Sequence, residues 1–378
     1  MAGIYIHIPF CRQACHYCNF HFSTSLRYKE ELLMAIKKEM AIQKNYPGAE
    51  TVSTVYFGGG TPSICSTEEL QSLLEELRKH FILAEDAEIT LEANPDDITA
   101  GKLQSLQQAG INRLSIGVQS FFEDDLLWMN RAHNADQAIK SLELALEFFT
   151  NITIDLIYGS PGLTDEKWKK NVDTAVKLGI PHLSCYALTV EPKTPLEKKI
   201  KRKELSPTDP DKQAEQFLCL MDWLTEAGYE HYEISNFAKP GCRSKHNSAY
   251  WAVDESGNRQ KYLGLGPSAH SYSGNERQWN ISNNNLYISS LANNIVPYEK
   301  EVLSPVEQLN EYIMTSLRTV EGLNTGITSQ KFGIAPNDLL KKAQQYLQQG
   351  KLENKEGRLV LTRQGKLLAD GIAARLFY

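Results

Sequence analysis

The chain has 378 residues, enough for two or three compact units at roughly 100–200 residues each. Its 42% hydrophobic and 23% charged residues are ordinary globular usage and exclude a disordered or fibrous protein. A net charge of −6 argues against a nucleic-acid partner, which calls for a basic excess. Met1 to Phe10 lacks the basic start of a secretory signal, and no apolar run approaches the ~20 residues that span a bilayer. A cytoplasmic protein is expected, with membrane association only at the periphery and through a partner.

Strand-like runs alternate with helical ones over the first half. Ile4 to Ile8 reads as a strand stopped by Pro9, and Tyr28 to Lys44 as a helix with Leu32, Leu33, Ile36 and Met40 on one face. Val52 to Phe57 is a strand ending in Gly58-Gly59-Gly60. Ser66 and Glu69 form a capping box that opens the next helix. Ala87 to Leu91, Arg113 to Val118, Ile152 to Tyr158 and Pro181 to Leu188 are further strands. Helices fall near Thr99 to Gln108, Asp136 to Phe149 and Glu166 to Leu178. Six β-then-α units predict an α/β fold with a parallel sheet, either a partial (β/α)6 barrel or a doubly wound sheet.

After Leu188 the rhythm breaks. Glu191 to Pro210 holds four prolines and the basic run Lys198 to Lys203, and reads as an exposed loop. A helix at Lys212 to Ala227 and a strand at Tyr229 to Ile234 follow; Asn236 to Asn294 shows little periodicity. From the Ser304–Glu307 capping box the chain is mostly helical, with a hairpin at Lys351 to Thr362 before a last helix at Gln364 to Leu376. The expected domains are a partial barrel over 1–235, a connecting segment packed on it over 236–300, and a mainly helical, winged-helix-like unit over 301–378.

In parallel β/α proteins ligands bind beyond the C-terminal ends of the strands. There this chain places Cys11-x3-Cys15-x2-Cys18, Gly58 to Pro62, Glu92, Asn94-Pro95, Gln119-Ser120 and Asp155. Three closely spaced thiolates suit one soft metal centre, either a four-iron cluster with an iron left open or a Cys3His zinc site completed by His7, His16 or His21. Cys65, Cys185, Cys219 and Cys242 are dispersed and read as ordinary thiols.

The three-cysteine loop after the first strand resembles that of the radical S-adenosylmethionine (SAM) superfamily, whose fold is a partial (β/α)6 barrel. Tyr5 to Cys11, Gly58 to Pro62, Glu92 to Pro95, Gly117 to Ser120 and Asp155 to Gly159 look like the oxygen-independent coproporphyrinogen III oxidase family. The resemblance implies a [4Fe-4S] cluster on Cys11, Cys15 and Cys18. It implies SAM contacts from Gly59, Gly60, Thr61 and Glu92, with Tyr5 and Tyr17 packed beside and Ala187 at the sixth strand. Gln119, Arg131 and Asp155 match positions that contact a second SAM in the family.

That family divides into oxidising enzymes and haem chaperones. The enzymes carry an extra cysteine two positions after the third cluster cysteine, where this chain has Phe20, and have a longer N-terminal extension than the ten residues before Cys11. His246-Asn247-Ser248-Ala249-Tyr250-Trp251 resembles the His-Asn-x-x-Tyr-Trp signature of the chaperones. His246 is the expected haem contact, supported by Tyr250 and Trp251, because imidazole ligates haem iron and aromatic faces stack on porphyrins. His270 is expected to shape the cavity, and the basic run to be solvated. The implied function is a haem chaperone that passes haem to an acceptor protein. Radical decarboxylation of coproporphyrinogen and a zinc-binding scaffold are the alternatives.

Overall fold

The structure is a computed structural model describing residues 1–48 and 50–378. Among these residues twelve strands form one sheet in the order β12-β11-β10-β9-β1-β2-β3-β4-β5-β6-β8-β7. The parallel centre comprises β1 (Ala2–Ile8), β2 (Val52–Gly59), β3 (Leu83–Ala93), β4 (Arg113–Gln119), β5 (Ile152–Tyr158) and β6 (His182–Ala187). With a helix between successive strands and a (β/α)6 arc that does not close on itself, this is the partial barrel rather than the doubly wound sheet.

The arc forms because each strand alternates. Ile4, Ile6 and Ile8 of β1, Val55 and Phe57 of β2, Ile89 and Leu91 of β3, and Leu114 and Ile116 of β4 join the main core with Leu32, Leu70, Leu103 and Leu142 from the crossover helices. The opposite positions are polar: Tyr5, Tyr56, Glu92, Arg113, Ser115, Thr153, Asp155, His182 and Ser184 line a central cavity of about 230 Å³. A closed barrel fills its interior with branched apolar side chains. Here the interior is polar and hollow, which is what a binding site requires.

Local signals set the helix ends. Ser66 and Glu69 make the reciprocal capping box of helix Thr67–His80, and Ser304 and Glu307 do the same for helix Pro305–Leu317. Gly110 closes helix Ala100–Ala109 in the left-handed region at φ 99°. Two expectations are corrected. The segment 191–210 is not all loop: helix Pro195–Lys201 runs through it, capped by Thr194, with Pro195 in the first turn where its missing N–H costs nothing. The last helix is broken, into Arg363–Lys366 and Ala369–Leu376.

The segment with little periodicity extends the sheet on both edges. On one side β8 (Asn236–Ala238) lies antiparallel to β6 and beside β7 (Glu230–Glu233). On the other, β9 (Lys261–Leu265) runs parallel to β1, followed by β10 (His270–Tyr272), β11 (Glu276–Asn280) and β12 (Tyr298–Val302). Helix Lys245–Trp251 lies between the two groups in sequence. The C-terminal residues have their own core around Leu309, Ile313, Leu339, Leu359 and Ile372, with β13 (Leu323–Asn324), β14 (Leu352–Lys355) and β15 (Arg358–Leu361) as a small antiparallel sheet.

One buried carboxylate fastens the added edge to the barrel. Glu39, on helix Lys29–Ile42, is fully buried and accepts hydrogen bonds from Gly266 N at 2.8 Å, Asn280 Nδ2 at 2.7 Å and the Tyr287 hydroxyl. Removing it strands three buried donors. Glu39→Ala is expected to lower unfolding stability by roughly 2–4 kcal/mol, read as a fall in the urea midpoint, and Glu39→Gln by less. An unchanged midpoint in Glu39→Ala would show that the clasp carries no load.

Candidate functional site

The cysteine loop lies at the C-terminal ends of the strands and is closed at its base by main-chain bonds. Cys11 N donates to Ser23 O at 3.0 Å and Ser23 N to Pro9 O at 2.8 Å. Its far side is docked on residues 128–131: His16 N donates to Met129 O at 3.0 Å, and Asn130 Nδ2 to Ala14 O at 2.7 Å. Gln13 Nε2 donates to Asn130 Oδ1 at 2.8 Å. Asn130 adopts φ 58° at the end of helix Glu123–Met129, a left-handed stop that asparagine tolerates. That turn aims Arg131 back beneath the loop.

Arg131 is the hub. Its Nη1 donates to Cys15 Sγ at 3.2 Å and Tyr17 Oη at 3.4 Å, while Nη2 donates to Asn94 Oδ1 at 2.8 Å and Gly117 O at 2.7 Å. One guanidinium therefore joins the cysteine loop to the ends of β3 and β4. Its buried Nε has no hydrogen-bond partner among the described residues.

All seven cysteines are free, and Cys11, Cys15 and Cys18 share this loop, each partly accessible. Burial pushes the Cys11 thiol up to about 11, opposed by Thr61 and with neighbouring Cys18 and Cys15 adding to the rise; burial also raises Cys18. Desolvation opposes ionisation of Cys11 and Cys18, which a positive centre bound among the sulfurs would offset. The donor set thus fits an iron–sulfur cluster. Among the described residues no three Cys, His, Asp or Glu side chains could hold a single metal ion. The histidines proposed to complete a zinc site are engaged elsewhere: His7 Nε2 with His21 O at 3.0 Å, His16 Nδ1 with Trp128 O at 2.6 Å, and His21 Nε2 with Asn284 Oδ1 at 2.7 Å.

The glycine turn lies against this loop. A Cβ on Gly60 would stand 2.6 Å from Phe10 O, and one on Gly59, at φ 107°, 2.5 Å from the His7 ring. These glycines let β2 press on the end of β1, a tighter demand than approach by a ligand alone. Thr61 N donates to Phe10 O at 2.7 Å, and its hydroxyl lies 3.6 Å from Cys11 Sγ.

Below the turn, Glu92 accepts from Tyr56 Oη at 2.8 Å and Gly59 N at 3.1 Å. Burial lifts it to about 7, opposed by the Tyr56 bond and reinforced by Asp155. Burial lifts Asp155 to about 6 against the pull of Arg131 and Arg113. Gln119, buried with φ 72°, and Arg131 both crowd Gly117, where a Cβ would meet Gln119 Nε2 at 3.1 Å and Arg131 Nη2 at 3.2 Å. Gly117 pairs in register with Asp155. Tyr5 stacks on Tyr56 with ring centroids 6.1 Å apart, and Ala187 is exposed at the end of β6 beside Tyr158. Cys11, Cys15, Cys18, Thr61, Glu92, Gln119, Arg131 and Asp155 are thus gathered at one end of the barrel.

His246 lines the floor of the same cavity that Glu92 and Asp155 border. It belongs to helix Lys245–Trp251, which plugs the barrel at the N-terminal ends of the strands. Glu88 of β3 accepts from the helix's first amides, Lys245 N at 3.1 Å and His246 N at 3.0 Å. His246 is 3% exposed, its Nδ1 paired with Thr54 Oγ1 at 2.8 Å, its Nε2 with Tyr250 Oη at 2.9 Å, and its ring stacked on Tyr56. Both nitrogens are hydrogen-bonded to hydroxyl groups, so a ligand bond from His246 would require Thr54 or Tyr250 to turn away. Tyr250 reaches the cavity wall, whereas Trp251 packs under Arg318 of the C-terminal unit, 4.9 Å from its ring centroid.

Residues that sequence reasoning passed over include Tyr56, Arg113, His182 and Asn130. The first three occupy the polar half of a two-residue alternation visible within the strands as Thr54/Tyr56, Glu88/Thr90/Glu92, Arg113/Ser115, Thr153/Asp155 and His182/Ser184.

Residues 5–175 match the radical SAM superfamily model, and residues 303–368 match the HemN C-terminal domain. The chain is 36% identical over 380 residues to "Heme chaperone HemW" of Mycobacterium tuberculosis, covering 99% of this chain and 94% of that protein. It is 36% identical over 377 residues to "Heme chaperone HemW" of Bacillus subtilis, with 98% of each covered. Of solved structures, coproporphyrinogen III oxidase (HemN) of Escherichia coli, described as a radical SAM enzyme, superposes with a TM-score of 0.86 at 25% identity, over all of this chain and 90% of that one. A partial barrel carrying three cysteines at its rim and a HemN-type C-terminal unit defines a radical SAM protein. Within that superfamily the chain belongs to the HemW family.

The carboxylates give a pH test. Glu92 binds its proton more tightly folded than unfolded, so ionising it opposes folding as pH rises through about 7. In cofactor-free protein, Glu92→Gln is expected to raise the melting temperature at about pH 8 and change it little at about pH 5. An equal effect at both pH values would contradict the desolvated carboxylate.

Proposed function

We propose that this protein is a haem chaperone that holds a [4Fe-4S] cluster, SAM and haem, and delivers haem to an acceptor protein in the cytoplasm. The observation that carries this reading is full-length likeness to proteins named haem chaperones, together with Phe20 where the oxidising enzymes have a further thiol. Among the described residues no helix is long and apolar enough to cross a membrane.

Cys11, Cys15 and Cys18 would hold the cluster, and Arg131 would steady it through Cys15. When bound, the cluster supplies an electron and an iron open to the methionyl end of SAM. The chain's own residues then select the ligand. Gly59, Gly60 and Thr61 offer a main-chain edge to it, and Glu92 a carboxylate acceptor for ribose hydroxyls or an ammonium. Tyr5 and Tyr17 wall the site. Glu92 and Asp155 are costly as ionised groups in the free protein, and a cationic ligand between them relieves that cost. Gln119, Arg131, Asp155 and Ala187 would border a second ligand position along β4 to β6.

The resemblance to coproporphyrinogen III oxidase supports the second reading, radical decarboxylation of propionates. Anaerobic protein reconstituted with iron and sulfide, reduced and supplied with SAM and coproporphyrinogen III, separates the two. The chaperone reading expects no protoporphyrinogen, and expects haem-loaded protein to convert an apo-haemoprotein to its holo form. Sustained protoporphyrinogen formation would overturn it. Cys11→Ser, Cys15→Ser or Cys18→Ser is expected to lose most of the bound iron, because the ligand count falls from three to two. Wild-type iron content in all three variants would remove the cluster assignment.

A further inference from the structure

His246 and its two hydroxyl partners stand where the barrel interior meets a second space. The interior, about 230 Å³, is smaller than the roughly 300–1,000 Å³ of pockets for drug-sized ligands, so no porphyrin fits inside it. Past β1, along β9 and β10, a cavity of about 1120 Å³ opens beside the cysteine loop, with Phe20, Tyr262 and Lys193 in its walls. Tyr5 and Tyr250 line both spaces. His246 borders the inner one, and its Nε2 points to the Tyr250 hydroxyl at the divide.

The two hydroxyls differ in their freedom. Thr54 is buried in β2, in register with Gly3 of β1 on one side and Glu88 of β3 on the other. A Cβ on Gly3 would stand 3.0 Å from Thr54 Oγ1 and 3.7 Å from the His246 ring, so glycine there makes room for the pair. The ladder holds Thr54, and its β-branched side chain is stiff at χ1. Tyr250 instead has a cavity on either side of its ring, which packs edge-to-face on Tyr262 at 4.8 Å. It can turn without displacing a packed core.

The chemistry of the hydroxyls also places the ring proton. A phenol gives up its hydrogen more readily than an aliphatic alcohol. Tyr250 Oη therefore donates to Nε2 at 2.9 Å, and Nδ1 donates to Thr54 Oγ1 at 2.8 Å. Burial and the nearby Arg113 push His246 down to about 3, so the ring is neutral and Nε2 keeps a lone pair. Metal-binding histidines are built this way, with the other N–H fixed on an acceptor that sets tautomer and orientation.

We propose that the Tyr250 hydroxyl is a removable cap on the nitrogen that binds haem iron. Tyr250 turns away from Nε2, and His246, held by Thr54, then meets the iron of a porphyrin in the larger cavity. This deepens the chaperone reading and rests on it. The hydrogen bond from Tyr250 Oη to Nε2 breaks, a donor bond from Nε2 to iron forms, and water leaves the iron. No electron moves and no proton is lost. Tyr250 is thus a positioning residue that competes with the cargo, which suits a protein that must release haem as well as hold it.

Deleting the two hydroxyls should move affinity in opposite directions, which general damage to the site would not do. Full-length wild type, Tyr250→Phe, Thr54→Val and His246→Ala are titrated with hemin and followed by Soret absorbance and electron paramagnetic resonance. Tyr250→Phe keeps the ring and loses the cap. It is expected to bind hemin roughly two- to tenfold more tightly, the scale of one hydrogen bond, with an unchanged nitrogen-ligated spectrum. Thr54→Val is expected to bind roughly tenfold more weakly, as when the outer partner of a metal-bound histidine is lost. His246→Ala, alone or with Tyr250→Phe, is expected to lose the nitrogen signature. Unchanged or weaker binding by Tyr250→Phe, no loss in Thr54→Val, or nitrogen ligation surviving in His246→Ala would overturn the proposal and leave the chaperone reading intact. Failure of the wild type to bind hemin would overturn both.

Discussion

The arrangement depends on one guanidinium. A twelve-residue stretch such as Cys11–Phe22 has little secondary structure of its own, and three thiols on it repel one another once ionised. Arg131 addresses both problems. It donates to Cys15 Sγ from below while fixing itself to Asn94 Oδ1 and Gly117 O, and so refers the loop to the rigid ends of β3 and β4. Five donors in a planar fork make arginine able to do this where a lysine would satisfy only part of the set. The Asn130 turn that aims it is bound in turn to Gln13 and Ala14, so loop and hub position each other.

The second organising feature is the division of each strand into an apolar outer and a polar inner face. The outer face joins the helices in a continuous core; the inner face makes a chain of paired polar groups. Glu88 and Arg113 lie 3.8 Å apart, Thr153 meets His182 Nδ1 at 3.0 Å, and His182 Nε2 meets Tyr232 Oη at 2.7 Å. This network sits at the lower end of the barrel, where helix Lys245–Trp251 closes it. The upper end holds the strained elements: Gln119 and Gly59 at positive φ, and two carboxylates lifted by burial. Stability and chemistry are therefore segregated along the strand axis.

The six central strands and their helices were legible because periodicity and capping agreed: Ser66 with Glu69, Thr99 with Gly110, an apolar alternation in every strand. The cysteines, glycine turn and rim carboxylates were legible because strand order places them at one end. The added edge was not. β10 has three residues, and Gly264 of β9 is there because a side chain would strike the His270 carbonyl, a contact no local pattern announces. Helix Pro195–Lys201 was hidden by prolines and lysines that read as loop. The surroundings of His246 were not legible either, because its motif gives its sequence neighbours but not Thr54, which lies 192 residues away and pairs with its Nδ1.

The central claim is that Arg131 and the strand ends hold Cys11, Cys15 and Cys18 around an iron–sulfur cluster with one iron open to SAM. Electron paramagnetic resonance of the anaerobically reconstituted, reduced protein tests it directly when recorded with and without SAM. The account predicts a [4Fe-4S]⁺ signal whose g values shift when SAM is added. A cluster signal that SAM leaves unchanged, or no cluster after reconstitution, would contradict it.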